Sequence, residues 1–419
     1  MMTQAFYTGI SGIKSNSEGI NIVSDNLANI NTVGFKANDY EFASLFEDMI
    51  STNAQGSSVN SSVGLGVDVQ ANSMVNKEGS PMLSEKSTDL AIQGDGWFGI
   101  QGANEPIYTR NGNFSFDKNS DLVTGDGYHV LGTKGNNVSG DKLTSVLDNI
   151  ALSDVKSQEK LNFPQSLKYP AEATKNVKFS GNIGTDNTVR EMGAEVIDAN
   201  GDKNSLKLNF TKSATQTLPG SQWDVKATVE SLDGKTIYDT KNAKLGFDDK
   251  GALVSSDLST MDNNGSIVNV DFGNSFSGIV SFANTPISAS SSSDGTVGGD
   301  LISYDINKNG EVIASFTNGK QSSVGKIGVF HFQNNQGLDR ISGTRFKESP
   351  NSGNAIFYKD ANGNNIIGTD ISNYKLESSN VSTEAGLTNL IILQRAYDAN
   401  SKSITTADQM IQKALSMHK

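Results

Sequence analysis

The sequence predicts an α+β fold that is mainly β. Long helices at the two ends pair as a coiled coil, and two nested β domains lie between them. Three observations carry this: seven-residue apolar periodicity at each end, short alternating runs cut by Gly, Asn and Asp turns in between, and two breaks in that pattern. Hydrophobic residues make up only 35% of the 419 residues, with 42 Gly against 7 Pro, which suits a turn-rich β chain.

Residues 384–419 have no proline, and no glycine after Gly386. Leu390, Tyr397, Ile404 and Ile411 fall seven apart, and Leu393, Asn400, Ala407 and Ala414 follow each by three; Leu387 joins the same stripe. This is a narrow a/d seam on a helix of about 30 residues, roughly 45 Å long. So narrow a stripe calls for another helix against it.

Residues 1–35 supply one. Phe6, Ile13, Ile20 and Leu27 also recur every seven, supported by Ile10, Val23 and Ile30. Only Lys14, Glu18 and Asp25 carry charge before Lys36. Gly9, Gly12 and Gly19 each cost about 1 kcal/mol relative to alanine inside a helix, so this helix gains its order by packing. The termini either close one globular domain as a helical hairpin, or pack against neighbouring copies and polymerise the chain. Asn29, Asn31 and Gly34 mark the helix end, because Asn and Gly tolerate the left-handed conformation.

Residues 36–75 are expected as an extended connector, with a Ser/Gly/Asn-rich tract at 51–66. Residues 76–170 and 296–383 form the inner β domain. Within it, Asn111-Gly112 is a hairpin signal, and residues 301–317 form a hairpin about Asn309-Gly310 with Ile302, Tyr304, Ile306, Ala314 and Phe316 on apolar positions. Residues 325–333 read as another strand. Residues 171–295 form an inserted outer domain, entered past Pro164 and Pro170. In it Leu206, Leu208 and Phe210 share one face, and Trp223, Val225, Ala227 and Val229 another. It closes on the Ser/Gly tract at 288–300, expected as a linker.

The net charge of −12 argues against nucleic acid and anionic membrane as partners, since both call for clustered Lys and Arg. No apolar run is long enough to span a bilayer, and the opening MMTQAFYTGISGIK lacks a basic n-region, so no cleaved secretory signal is expected. Cysteine is absent, which removes disulfides and thiol or Cys–metal chemistry. His129, His331 and His418 are not spaced to share a metal. Turns at Asp198 and Asp360 lack the glycine at position six and glutamate at position twelve of a helical calcium loop, so aspartate-rich β turns explain them. Neither catalytic, cofactor nor metal residues are expected, and no enzyme.

Three segments resemble the bacterial flagellar rod and hook axial proteins. DNLANINTVGFK (25–36), with Asn26, Asn29, Asn31, Thr32, Gly34 and Phe35, resembles the signature after the family's first helix. STDLAIQGDGWFGIQ and YTRNGNFSFDKNSDLVTGDGYHVLG, within 87–132, resemble its inner β segment. LESSNVSTEAGLTNLIILQRAYDANSKSITTADQMIQ (376–412), with Gln394 and Arg395, resembles its C-terminal signature. The inserted module resembles the hook branch, whereas residues 394–409 read closer to the rod wording. The resemblance implies a helical homo-oligomer in the extracellular flagellum, exported without signal cleavage by the flagellar type III apparatus. It implies distal rod, hook cap and hook–filament junction proteins as partners. It also implies outer domains that tilt on Ser/Gly joints near 51–66, 164–176 and 288–299. A secreted glycan-binding or hydrolytic β protein is the reading from another class.

Overall fold

The computed structural model describes residues 2–46, 64–216 and 220–417. It is mainly β, with helix α1 (Met2–Ala28) at one end of the chain and α2 (Thr383–Ser416) at the other. α2 starts where Ser382 caps the amide of Ala385, and it carries Glu384 in its first turn and Lys413 in its last, both matched to the helix dipole. α1 ends as its Asn and Gly residues require: the Asn29 side chain folds back on the Asp25 carbonyl, and Gly34 has a φ of 69°.

The expected connector is a ribbon where it is described. β1 (Asn38–Phe46) and β2 (Gly64–Met74) pair antiparallel and lie along α1. Ser15 donates to the Val67 carbonyl at 2.9 Å, and the Val67 amide donates to Ser11 at 3.2 Å. Tyr40, Phe42, Val67 and Val69 are residue types that fit a half-buried ribbon, so this stretch pairs instead of running free. Residues 51–63 of the Ser/Gly tract lie outside the described residues.

Two separate hydrophobic cores follow. The first joins Leu90, Trp97, Phe98, Tyr108, Leu122 and Leu161 to Ile306, Phe316, Phe330 and Phe346, residues drawn from both sides of residues 171–295. Its eight-stranded sheet likewise mixes Leu131–Lys134 with Gly299–Ile306, Glu311–Phe316 and Gln321–Ile327. The second core lies wholly within residues 177–279, between two five-stranded sheets. There the alternation holds: Leu206, Leu208, Phe210, Trp223, Val225, Ala227 and Val229 are all buried.

Four local readings are corrected. Asn111-Gly112 is not a hairpin: Pro106–Thr109 pairs with Trp97–Gln101, while Phe114–Phe116 pairs with Leu122–Thr124 in another sheet. The Asn111 side chain instead accepts from the Asn113 amide, and Gly112 lets the chain pass against Leu90, whose amide donates to it at 3.0 Å. Ile302 is exposed because a register shift between Leu301 and Ser303 turns it outward. Residues 325–333 split at Gly328 into Gln321–Ile327 and Val329–Phe330, in different sheets.

The Ser/Gly tract at 288–300 is the fourth. Ser290–Ser293 is a strand that pairs with Asn176–Asn182, and Gly299 already begins the next strand. Serine is small enough for both of its neighbours to approach, as when Ser291 donates to the Gly193 carbonyl at 2.6 Å. The two chain crossings between the cores are therefore tied together. Glu172 and Thr296 exchange both backbone hydrogen bonds, and the Asp294 carboxylate accepts from the amides of Lys175 and Asn176 and from the Asn176 side chain, at 2.8–2.9 Å. Loose joints at 164–176 and 288–299 are not what the chain builds. Replacing Asp294 by Ala removes the acceptor of three N–H groups, so limited proteolysis within residues 170–176 and 294–298 is expected to speed up while the second core keeps its protection, at a stability cost of about 1 kcal/mol.

Candidate functional site

α1 and α2 lie side by side and antiparallel, and glycines set their separation. A Cβ added at Gly9 would sit 2.7 Å from Ile404, one at Gly12 2.6 Å from the Asn400 amide group, and one at Gly19 3.1 Å from Leu393. At the far end the roles reverse, and a Cβ on Gly386 would lie 2.9 Å from Leu27. Large side chains on one helix thus drop into gaps on the other. The helix-propensity cost of each glycine is offset by close packing.

On α2 the structure places Leu393 and Ala407 in the buried seam, with Leu390, Asn400, Ile404 and Ile411 half-buried; Leu387, Tyr397 and Ala414 are exposed. On α1 Val23 is buried, Ile13, Ile20, Leu27 and Ile30 are half-buried, and Phe6 and Ile10 are exposed. The face of α1 toward α2 therefore differs from the expected heptad of Phe6, Ile13, Ile20 and Leu27. It centres on Gly9, Gly12 and Gly19, with Asn16 and Val23 buried in the same spacing, because a Cβ at Gly9 or Gly12 would collide with Ile404 or Asn400 and one at Gly19 would crowd Leu393. The large apolar residues of α1 flank that face.

Where the helices meet the β structure, a charged cluster is buried. The Lys36 ammonium lies 2.7 Å from Glu377 Oε1, and Arg110 donates to Glu377 Oε2 at 3.2 Å. All three side chains are almost fully buried. Lys36 also donates to the Lys77 carbonyl, the Gly79 amide to Glu377, and Arg110 to the Gly94 carbonyl, while the Arg110 guanidinium lies 5.5 Å over the Trp97 ring. Burial pushes the Lys36 ammonium below the ordinary lysine range, and the Glu377 carboxylate opposes that push. Alongside, Asn380 accepts from the Ala37 amide and donates to the carbonyls of Val75 and Lys77. Phe35 is buried beneath Arg340, whose guanidinium is 4.9 Å from its ring and donates to the Lys36 carbonyl.

The signature residues around the end of α1 serve this junction. Asn26 exchanges hydrogen bonds with the backbone of Asn38, Thr32 donates to Asn29, and the Gly34 amide donates to the Glu377 carbonyl at 2.8 Å. Asn31, Gln394 and Arg395 are exposed. Sequence reasoning missed Glu377 and Arg110, although both sit inside segments it singled out. A charged residue beside Leu376 in a strand was the available signal.

His331 is fully buried, 2.6 Å from the Ile367 carbonyl and 3.3 Å from Asp95, with its ring 4.1 Å from Tyr358, which is a structural setting. His129 lies on the same β structure beside Asp121, and His418 lies outside the described residues. Among the described residues no group of three or more His, Cys, Asp or Glu could hold a metal, and no helix is long and apolar enough to cross a membrane. The turns at Asp198 and Asp360 spend their carboxylates on backbone: each accepts from the amides two and four residues on.

Three family models match the chain: Flagella basal body rod protein over residues 6–36, Flagellar hook protein FlgE/F/G D1 domain over 91–183, and Flagellar basal body rod FlgEFG protein C-terminal over 373–417. They cover most of α1 and its junction, the part of the first core that precedes residue 171 with the first crossing, and α2. In these three segments the chain is similar to the flagellar rod and hook proteins. Along its whole length it is similar to hook proteins. The flagellar hook protein FlgE of Borreliella burgdorferi is 28% identical over 457 residues, covering 98% of this chain and 99% of that one. The flagellar hook protein FlgE of Escherichia coli is 27% identical over 420 residues, covering 97% and 98%. The crystal structure of Helicobacter pylori flagellar hook protein FlgE2 shares the fold, with a TM-score of 0.50 and 18% identity over 71% of this chain and 100% of that one.

Two substitutions test this geometry. Glu377→Ala leaves two buried cations without their anion and is expected to cost about 3–5 kcal/mol in denaturant unfolding, whereas Asp300→Ala, at the exposed pair with Lys168, costs about 0–1 kcal/mol. Gly12→Leu raises helix propensity yet drives a side chain into Asn400, so circular dichroism is expected to show helix lost from the termini while the β signal persists.

Proposed function

We propose that the chain is a structural subunit of the bacterial flagellar hook, self-assembling into a flexible tube that carries torque from the rod to the filament and encloses the export channel. One observation carries the reading. Once α1 and α2 have closed on their glycine seam, Phe6, Tyr7, Ile10, Leu387, Ile391, Ile392, Met410 and Leu415 are still in water. Among the described residues nothing of the same chain covers them, and a ring of identical chains would. Similarity to hook proteins along the whole chain supports the same reading.

In this reading the two helices act as a coiled-coil polymerisation unit lining the axis. Residues 76–170 with 296–383 form an inner domain, and residues 171–295 form an outer domain nested in it. The seam residues already placed on α1 and α2 would meet their counterparts from adjacent copies. Distal rod, hook cap, hook–filament junction proteins and the type III export apparatus are the partners, and export leaves the N-terminus uncleaved. Bending falls to contacts between copies, since the crossings are hydrogen-bonded together. Many modest polar contacts can re-form on sliding, whereas interdigitated apolar ones resist it.

A rod-type position is the second reading, favoured by the rod-named models that match both ends. Deleting residues 387–419 is expected to leave a soluble, β-rich monomer that never forms tubes under conditions where the full chain does. Tubes from the truncated chain would sink the helical account. Electron microscopy of hook–basal bodies tagged within residues 177–287 separates hook from rod by where the tag lies.

A further inference from the structure

An asparagine followed by glycine is open to attack by its own backbone, because glycine sets no Cβ between the next nitrogen and the side-chain amide carbon. The chain holds six such pairs, at Asn111, Asn200, Asn264, Asn309, Asn318 and Asn362. In five of them the glycine nitrogen is engaged. Gly201, Gly310, Gly319 and Gly363 each donate to the carbonyl three residues back at 2.9–3.1 Å, and Gly265 donates to the Asp262 carboxylate at 2.7 Å. Gly112 differs, since its amide has no partner among the described residues.

The Asn111 side chain is placed to receive that nitrogen. Its Oδ1 accepts from the Asn113 amide at 3.0 Å, a ring closure that folds the side chain back over Gly112. The same N–H draws electron density from the amide carbon and can hold the negative oxygen that attack creates. Nδ2, the leaving nitrogen, has no partner among the described residues, and Asn111 borders an open cavity of about 360 Å³ through which ammonia leaves and water enters. Asn318 makes the matching bond from Lys320, but the Val297 carbonyl holds its Nδ2 at 2.8 Å.

We propose that Asn111 is a self-modification site, deamidating in the folded chain and loosening the junction beside it. The Gly112 nitrogen gives its proton to hydroxide and bonds to Asn111 Cγ. The Cγ–Nδ2 bond then breaks, and ammonia departs with a proton taken from water. Water opens the resulting five-membered imide at either carbonyl, giving aspartate or isoaspartate. One water is consumed and nothing is oxidised or reduced. Isoaspartate lengthens the main chain by a methylene where there is no slack: a Cβ on Gly34 would already sit 2.5 Å from the Asn111 nitrogen, and the adjacent Arg110 holds Glu377.

The full chain incubated at mildly alkaline pH, folded or in urea, tests this by peptide mass spectrometry with isoaspartate resolved chromatographically. In the folded chain Asn111 is expected to convert about five- to tenfold faster than each of the other five, whose glycine nitrogens must first give up a hydrogen bond. In urea all six have the same neighbour and no turn, so the lead is expected to vanish. No lead in the folded chain, or one that persists in urea, overturns the proposal. Exchange of the Gly34 amide, which donates to the Glu377 carbonyl at 2.8 Å, is expected to quicken as isoaspartate accumulates. Exchange that stays constant overturns the loosening of the junction.

Discussion

The Glu377 carboxylate, held between Lys36 and Arg110 out of reach of water, is the constraint on which the architecture turns. Its three members come from the segment that follows α1, from the bend after the strand Pro106–Thr109 of the first core, and from the strand Lys375–Glu377 that leads into α2. A buried ion cluster is not a general source of stability, because desolvation consumes much of the Coulomb gain. What it provides is geometry. Each carboxylate oxygen has its own cation, Oε1 also takes the Gly79 amide, and Arg110 is held against Trp97. Few arrangements satisfy all of these groups, so the helices leave the β structure in one direction.

From that anchor the helices run outward with a seam that is unusual in its chemistry. Glycine on α1 meets large side chains on α2, and the single glycine of α2 meets Leu27. A seam of leucines would bury more apolar area within the chain and leave less for neighbours. The glycine seam does the reverse. It draws the backbones together and turns the larger side chains sideways, where Phe6, Ile10 and Leu387 stay exposed among the described residues.

How much of this the sequence disclosed depends on the distance over which each feature is specified. The helices were legible because their signal is local: seven-residue spacing without proline, and Asn and Gly at the end of α1. The strands of the second core were legible for the same reason, since Leu206, Leu208, Phe210 and Trp223 alternate within single strands. The first core was harder, because its sheet interleaves strands from both sides of the insertion, and a dipeptide such as Asn111-Gly112 cannot tell a hairpin from a change of sheet. The buried cluster was out of reach, with Lys36 and Glu377 lying 341 residues apart and neither flanked by a partner. Glycine misled for a simple reason. Read alone it weakens a helix, and only the partner's side chain reveals what the missing Cβ makes room for.

The doubled crossing between the two cores has a mechanical corollary. A body hung from one strand can swivel about single bonds, so rotation applied to it is dissipated in the tether. Here two strands run side by side, with Glu172 and Thr296 bonded across the gap and Asp294 gripping the opposite strand. Such a mount can tip, but it cannot spin.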